Sequence, residues 1–370
     1  MKYSLTLLLT FTATFLSANT VDVYFGTGGG EAAGIYHSKL NTETGTLTAA
    51  SLVAQVQSPE FLAFHPNRRH LYAVAQLQGK ASVIAYALAP DGALTELQSQ
   101  AIPDGAAAHI SVHPSGRLLL TAQYGAGTVA LFPINADGTL EPCKQVIQHQ
   151  GGSGVAGKRQ QSAHPHWTGF APDGRFAFVP DLGLDQIIIY QVQLQPVSIH
   201  KIGYAQAPAG AGPRHMKFSV DGQFIFLLNE LSLSVSTFDY QARTGQSERL
   251  STTPSLSPEL QAQEAINAGS EILVHPNGLY VYAANRGHDS VTSFRVSPDD
   301  GQLSVIDIEP IRGAWPRSIN LDSSGRWLLA AGAHSNTVTV LEIDTATGML
   351  SYSGKRIINV PNAICIVLND

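Results

Sequence analysis

Four residues in this sequence could do chemistry together: His166, Arg214, Glu230 and Arg286. An imidazole that titrates near neutrality and a carboxylate can move protons. Two guanidiniums, permanently charged and forked, can hold an anion or a developing oxyanion. All four sit at the ends of apolar runs, His166 and Arg214 just before one, Glu230 and Arg286 just after one. Glu60, His109, Ser270, Glu271, Arg317 and Asn362 occupy the leading position in other runs. Gln76, Gln123, Asp181, Asn229, Asn285 and, more loosely, His334 occupy the trailing one. We read His166, Arg214, Glu230 and Arg286 as catalytic candidates, and His164, His109, Asp181, Asn229, Arg317 and Glu60 as substrate contacts. Glu60, Gln76, Gln123 and Asn362 serve equally well as partners for backbone ends and water, because buried polar groups are normally paired.

Other residues carry weaker signals. His164-Pro165-His166 does not make a three-ligand catalytic metal site, and there is no CxxC or ligand-spaced His/Cys cluster. No metal or other cofactor is expected. His215 follows Arg214, so strand alternation assigns it to the opposite face of its sheet and a structural role. Gly28-Gly29-Gly30 precedes no helix-forming stretch and therefore does not read as a phosphate cradle.

The elements that must position these residues are repeats. FLAFHPNRRHLYAVAQ, ISVHPSGRLLLTAQ, WTGFAPDGRFAFVPD, MKFSVDGQFIFLLNE, ILVHPNGLYVYAANR and INLDSSGRWLLAAG share a strand, a tight turn and a second strand. Aligned on His65, the reference position recurs at 113, 171, 219, 275 and 322, in steps of 48, 58, 48, 56 and 47. That is the length of a four-stranded propeller blade, and the β-branched and aromatic runs lack helical periodicity. Gly-centred turns in TGTL, DGAL, DGTL, DGQL and TGML close further hairpins. The hairpin occurs six times. The N-terminal VDVYFGTGGG and GIYHSKLNTETGTL supply the later strands of a seventh unit, whose first strand is the C-terminal PNAICIVL. Pairing the two ends closes an all-β, seven-bladed propeller and removes exposed sheet edges. Antiparallel pairing sets the start of one strand beside the end of the next, so both polar sets ring one mouth of the channel.

Bulk properties agree. The 370 residues are 44% hydrophobic and 14% charged, enough for a large core but sparse in helix-solvating charge. A net charge of -6 without a basic stripe excludes a nucleic-acid binder. Lys2, the apolar run from Leu5 to Leu16 and the small Ser17-Ala18 form a secretion-signal pattern, too short to span a bilayer. We therefore expect cleavage near Ala18, export to the periplasm or beyond, and one domain over 19–370. No other segment is apolar enough to cross a membrane, and a monomer is expected. Cys143 and Cys365 form no disulfide framework and are read as independent thiols.

Across the whole mature chain the sequence resembles the propeller lactonase family of 6-phosphogluconolactonase and carboxymuconate-lactonizing enzyme. The resemblance is strongest in SAHPHWTGFAPDGRFAFVPDLGLD, GAGPRHMKFSVDGQFIFLLNEL and HPNGLYVYAANRGHDSVTSF, and the GPRH and NEL motifs of one blade are its most specific part. It implies a site formed by His166, Arg214, Glu230 and Arg286 acting on a small-molecule lactone. In that scheme His166, assisted by Glu230, deprotonates the attacking water while the arginines hold the oxyanion or a substrate anion. The secretion signal departs from a family whose phosphorylated substrate is cytoplasmic. The same groups would serve the reverse, lactone-forming reaction on a muconate, and a non-enzymatic secreted interaction module is the other alternative.

Overall fold

The computed structural model describes residues 19–370, so the expected leader, residues 1–18, lies outside the described residues. Seven antiparallel sheets of four or five strands follow one another around a ring. Blade 1 runs through Gln57–Phe64, His70–Leu77, Lys80–Leu88 and Leu94–Ala101. The inner strands of blades 2 to 6 begin at His109, Gly169, Pro213, Ala268 and Pro316. Neighbouring inner strands touch, so they line the axis. Blade 7 is composite: Ala363–Asn369 is its inner strand and pairs with Thr20–Thr27, setting Ile366 opposite Phe25 and Leu368 opposite Val23. Both ends of the chain thus close the ring as the repeats require. Among the described residues helix is confined to Pro258–Gln261 and a 3-10 turn at Gly157–Gln160, and neither is long enough to cross a membrane.

Burial explains why this many blades must stack. Second strands such as Leu118–Gln123 are buried along their whole length because both faces of a blade meet neighbours. Among the described residues the buried apolar side chains fall into seven clusters, one at each junction between adjacent blades. A single blade has no such partner and could not bury either face. Cys365 is buried at the junction of blades 7 and 1, and Cys143 packs at that of blades 1 and 2, each as a free thiol.

The His-Pro turns have a role their sequence did not disclose. His65 Nε2 donates to Gly116 O at 3.0 Å, His113 Nε2 to Gly174 O at 2.7 Å and His275 Nε2 to Gly325 O at 2.8 Å, each tying one blade to the next. A Cβ on Gly116 or Gly174 would lie 2.3 or 2.6 Å from the ring it receives, and both have positive φ, so these positions need glycine.

At the opposite end the inner strands are bulged. Pro213 faces Asn229 but His215 faces Leu228, and Pro316 faces Gly332 but Ser318 faces Ala331, which makes Arg214 and Arg317 extra residues. A bulge re-aims side chains. It corrects the expectation for His215, which lies in the channel with its ring 5.3 Å from those of His109 and His166.

Candidate active site

The bulged ends open on a cavity of about 510 Å³, lined chiefly by Glu60, Tyr124, Arg159, His166, Glu230, Arg286 and Arg317, with Ala106 to Ala108 leaving it room. Its centre is Glu230, held just beyond the strand Phe224–Asn229 by its amide, which donates to Gly212 O at 2.7 Å. Three guanidiniums from three places converge on this carboxylate. Arg214 Nε donates to Oε2 at 2.9 Å, Arg286 Nη2 to Oε2 at 3.1 Å, and Arg159 Nη2 to Oε1 at 2.7 Å. Burial alone would raise the Glu230 pKa, but Arg286 and Arg214 outweigh it and hold the group far below the usual carboxylate range. A carboxylate so stabilised is a poor proton acceptor.

The arginines differ in what they have to spare. Arg214 is 2% exposed and also donates to Ser270 O; burial, then repulsion from Arg286, pushes it down to about 9, which leaves it charged at neutral pH. It lies beneath the cavity. Arg286 commits Nη2 to Glu230 and to Gly269 O at 2.6 Å and lies 5.4 Å from the centre of the Trp315 ring, with Nη1 left over. Arg159 uses Nε and Nη2 on Tyr124 Oη and Glu230, again sparing Nη1. Arg317 has no hydrogen bond or ion pair to protein among the described residues. Four guanidiniums against Glu230 and Glu60 leave the site net positive, more so because burial raises the Glu60 pKa despite Arg317.

His166 lines the same cavity. Its Nε2 lies 3.9 Å from Glu230 Oε2, beyond hydrogen-bond reach, and its Nδ1 is buried without a partner. Burial first, then Arg214, pushes its pKa well below the ordinary histidine value, so it is neutral and holds a lone pair at pH 7. A neutral imidazole facing fixed cations can take a proton from a neutral nucleophile while negative charge grows beside it.

The family model described as "Lactonase, 7-bladed beta-propeller" matches residues 22–368. The chain belongs to this lactonase family. It is 31% identical over 347 residues to a 6-phosphogluconolactonase of Bacillus subtilis (strain 168), covering 93% of this chain and 97% of that one. Its structure is similar to that of the periplasmic gluconolactonase of Pseudomonas aeruginosa, with a TM-score of 0.87, 27% identity, and 94% and 99% of the two chains covered. A Lactobacillus plantarum protein superposes with a TM-score of 0.88 at 28% identity, covering 94% and 99%. The relatives are carboxylic-ester hydrolases, and this propeller is an enzyme of that kind.

Within the lactonase propeller the expected residues divide. His166, Glu230, Arg286, Arg317 and Glu60 meet at the cavity, and Arg214 supports them from below. His164, His109, Asp181 and Asn229 do not line it. Asp181 is fully buried: Oδ1 accepts the amides of His164, Gly183 and Leu184, and Oδ2 accepts His149 Nδ1 at 2.7 Å. It anchors the segment that carries His166. Asn229 donates to Ser234 and Ser236 hydroxyls inside its blade. His164 stacks on Tyr124 at 4.5 Å and donates from Nδ1 to Tyr124 O, and His109 packs against Phe61 at 4.2 Å below the cavity floor. Glu230 is tied to three arginines and does not serve as His166's assistant base.

Sequence reasoning missed Arg159 and Tyr124. Arg159 sits in the 3-10 turn of the loop between blades 2 and 3, and a signal for it existed: the step from 113 to 171 is 58 residues where its neighbours are 48. Insertions of that kind map to loops, frequently on the binding face. Among the described residues no group of three His, Cys, Asp or Glu is arranged to hold a metal.

Proposed function

We propose that this lactonase hydrolyses a glucono-type sugar lactone to its aldonic acid. The supporting observation is a neutral His166 that shares with Arg286 and Arg159, each with a spare Nη1, a cavity within the usual size range of small-ligand sites. Water adds to the lactone carbonyl as His166 Nε2 takes its proton. The oxyanion that forms is met by Arg286 and Arg159. As it collapses, the ring oxygen leaves and takes the proton back from His166, giving carboxylic acid and alcohol. Glu230 and Arg214 hold the guanidiniums in place throughout. The apolar N-terminal segment supports export of the chain, in keeping with a similar protein described as periplasmic.

The test is lactone opening by the purified chain on glucono-1,5-lactone, followed by proton release above the buffer background. His166→Ala is expected to lower kcat by about 100-fold or more, within the usual range for general acid-base groups. A parent protein inactive on glucono-type lactones, or a folded His166→Ala variant at full rate, sinks the reading.

Arg317 supports a finer assignment. An unpartnered guanidinium at the cavity wall suits a distal anion, and the 6-phosphate of a phosphorylated lactone is such a group. Arg317→Ala should raise KM for 6-phosphogluconolactone by about 10- to 100-fold, the worth of one charge-assisted hydrogen bond, and leave KM for the unphosphorylated lactone within about threefold. Equal effects on both substrates would remove the phosphate from the assignment.

A further inference from the structure

The channel below the cavity holds a buried pair that the proposed chemistry does not yet use. His215 Nδ1 lies 3.0 Å from Glu271 Oε1, with side chains 1% and 6% exposed. We propose that Glu271 and His215 form a relay behind His166 that fixes which of its nitrogens carries the proton. This rests on His166 acting as the base.

Glu271 Oε1 also accepts the Ile272 amide at 3.0 Å, and a carboxylate can only accept, so His215 carries its hydrogen on Nδ1. That leaves a lone pair on His215 Nε2, which is buried and has no partner. His166 Nδ1 is the other unpartnered buried imidazole nitrogen, and the two rings lie 5.3 Å apart at 64°. Buried polar atoms seek partners, and a water that accepts from one of these nitrogens and donates to the other would join them. In that chain from His166 through His215 to Glu271, His166 is the Nδ1–H tautomer and its Nε2 lone pair faces the cavity. His109 Nδ1 accepts the Thr168 amide at 3.2 Å, which places the hydrogen of that third ring on Nε2.

The relay also supplies charge. When His166 takes the proton from water it becomes a cation among Arg214, Arg286 and Arg317, with Lys217 Nζ 4.0 Å from Glu271. Glu230, whose Oε2 lies 3.9 Å from His166 Nε2, is shared among three arginines, and Glu271 adds a second carboxylate behind the ring, through His215. Glu271 and His215 are positioning residues, and neither touches substrate.

Glu271→Gln keeps the side-chain volume and an acceptor oxygen but removes the negative charge behind His215. On glucono-1,5-lactone, kcat should fall by roughly 100-fold or more with KM within about threefold, as when the orienting carboxylate of a catalytic histidine is neutralised. The acid limb of the kcat profile should shift with it. In a His166→Ala background the same substitution should cause no further loss. Nitrogen-15 spectra of the parent's histidine side chains should show hydrogen on Nδ1 of both His166 and His215, a readout that stands even if the variant misfolds. Parental kcat in a folded Glu271→Gln variant while His166→Ala is inactive overturns the relay alone. So does an independent loss in the double variant, or hydrogen on Nε2 of either ring. Full activity of His166→Ala overturns the relay together with the reading beneath it.

Discussion

Glu230→Gln is expected to destabilise the propeller by about 3–5 kcal/mol, the usual cost of removing one partner from a buried ion cluster. Glu230 is the carboxylate shared by Arg159, Arg214 and Arg286, and two of those guanidiniums are themselves buried. Glutamine preserves shape and one acceptor oxygen. It leaves Arg214 and Arg286 as like charges without a counter-ion, and the burial that already pushes Arg214 down to about 9 then acts unopposed. For a chain of this size the loss corresponds to a Tm lower by about 5 °C, from an unfolding entropy of roughly 2 cal/mol/K per residue. Lactone opening should fall as well, because Arg286 loses the partner that aims it. Thermal melts and kcat measured on the same preparation check both effects. An unchanged Tm would mean that Glu230 does not hold the arginines together.

Acidification is expected to unfold the protein before its surface carboxylates titrate. His109, His166 and His215 are all buried and all have pKa values pushed well below the ordinary value, by burial in each case, with His215 next for His109 and Arg214 next for the other two. Released into water, each regains a pKa near 6.5. Below that pH the unfolded chain therefore binds more protons than the native one, and stability must fall as pH falls. Three such groups together give a slope approaching about 4 kcal/mol per pH unit once the unfolded histidines are protonated, until the native rings titrate in turn. Glu230 adds to the loss only lower, below its unfolded value near 4.5, because its native pKa is also depressed. The groups facing these rings are Arg214, Arg286, Arg317, Lys217, Glu271 and Glu230, and the cations outnumber the carboxylates. Denaturant midpoints at pH 7.5, 6.5 and 5.5 measure the slope. A flat stability across that interval would show that the native rings titrate with the same pKa as the unfolded ones.

The sequence by itself determined the ring. A period near 48 residues, glycine at five of the six repeated tight turns and a C-terminal first strand for an N-terminal unit require seven blades closed by the chain ends, and they put His166, Glu230 and Arg286 at one mouth. These are local signals: turn chemistry and strand polarity are written in neighbouring residues, and stacking repeats them. What each polar residue does there was decided by tertiary structure. Strand alternation is a parity rule, and the single extra residue at Arg214 breaks it, which carried His215 into the channel against expectation. Asp181 and Asn229 share the trailing position with other site residues, yet Asp181 is enclosed by hydrogen-bond donors and Asn229 gives its amide hydrogens to serines of its own blade. Glu230 reads as a base from its type alone. Only the convergence of Arg159, Arg214 and Arg286, brought together from a loop and two blades, makes it an anchor, because a carboxylate's basicity is set by the charges around it and those charges meet only in the folded ring.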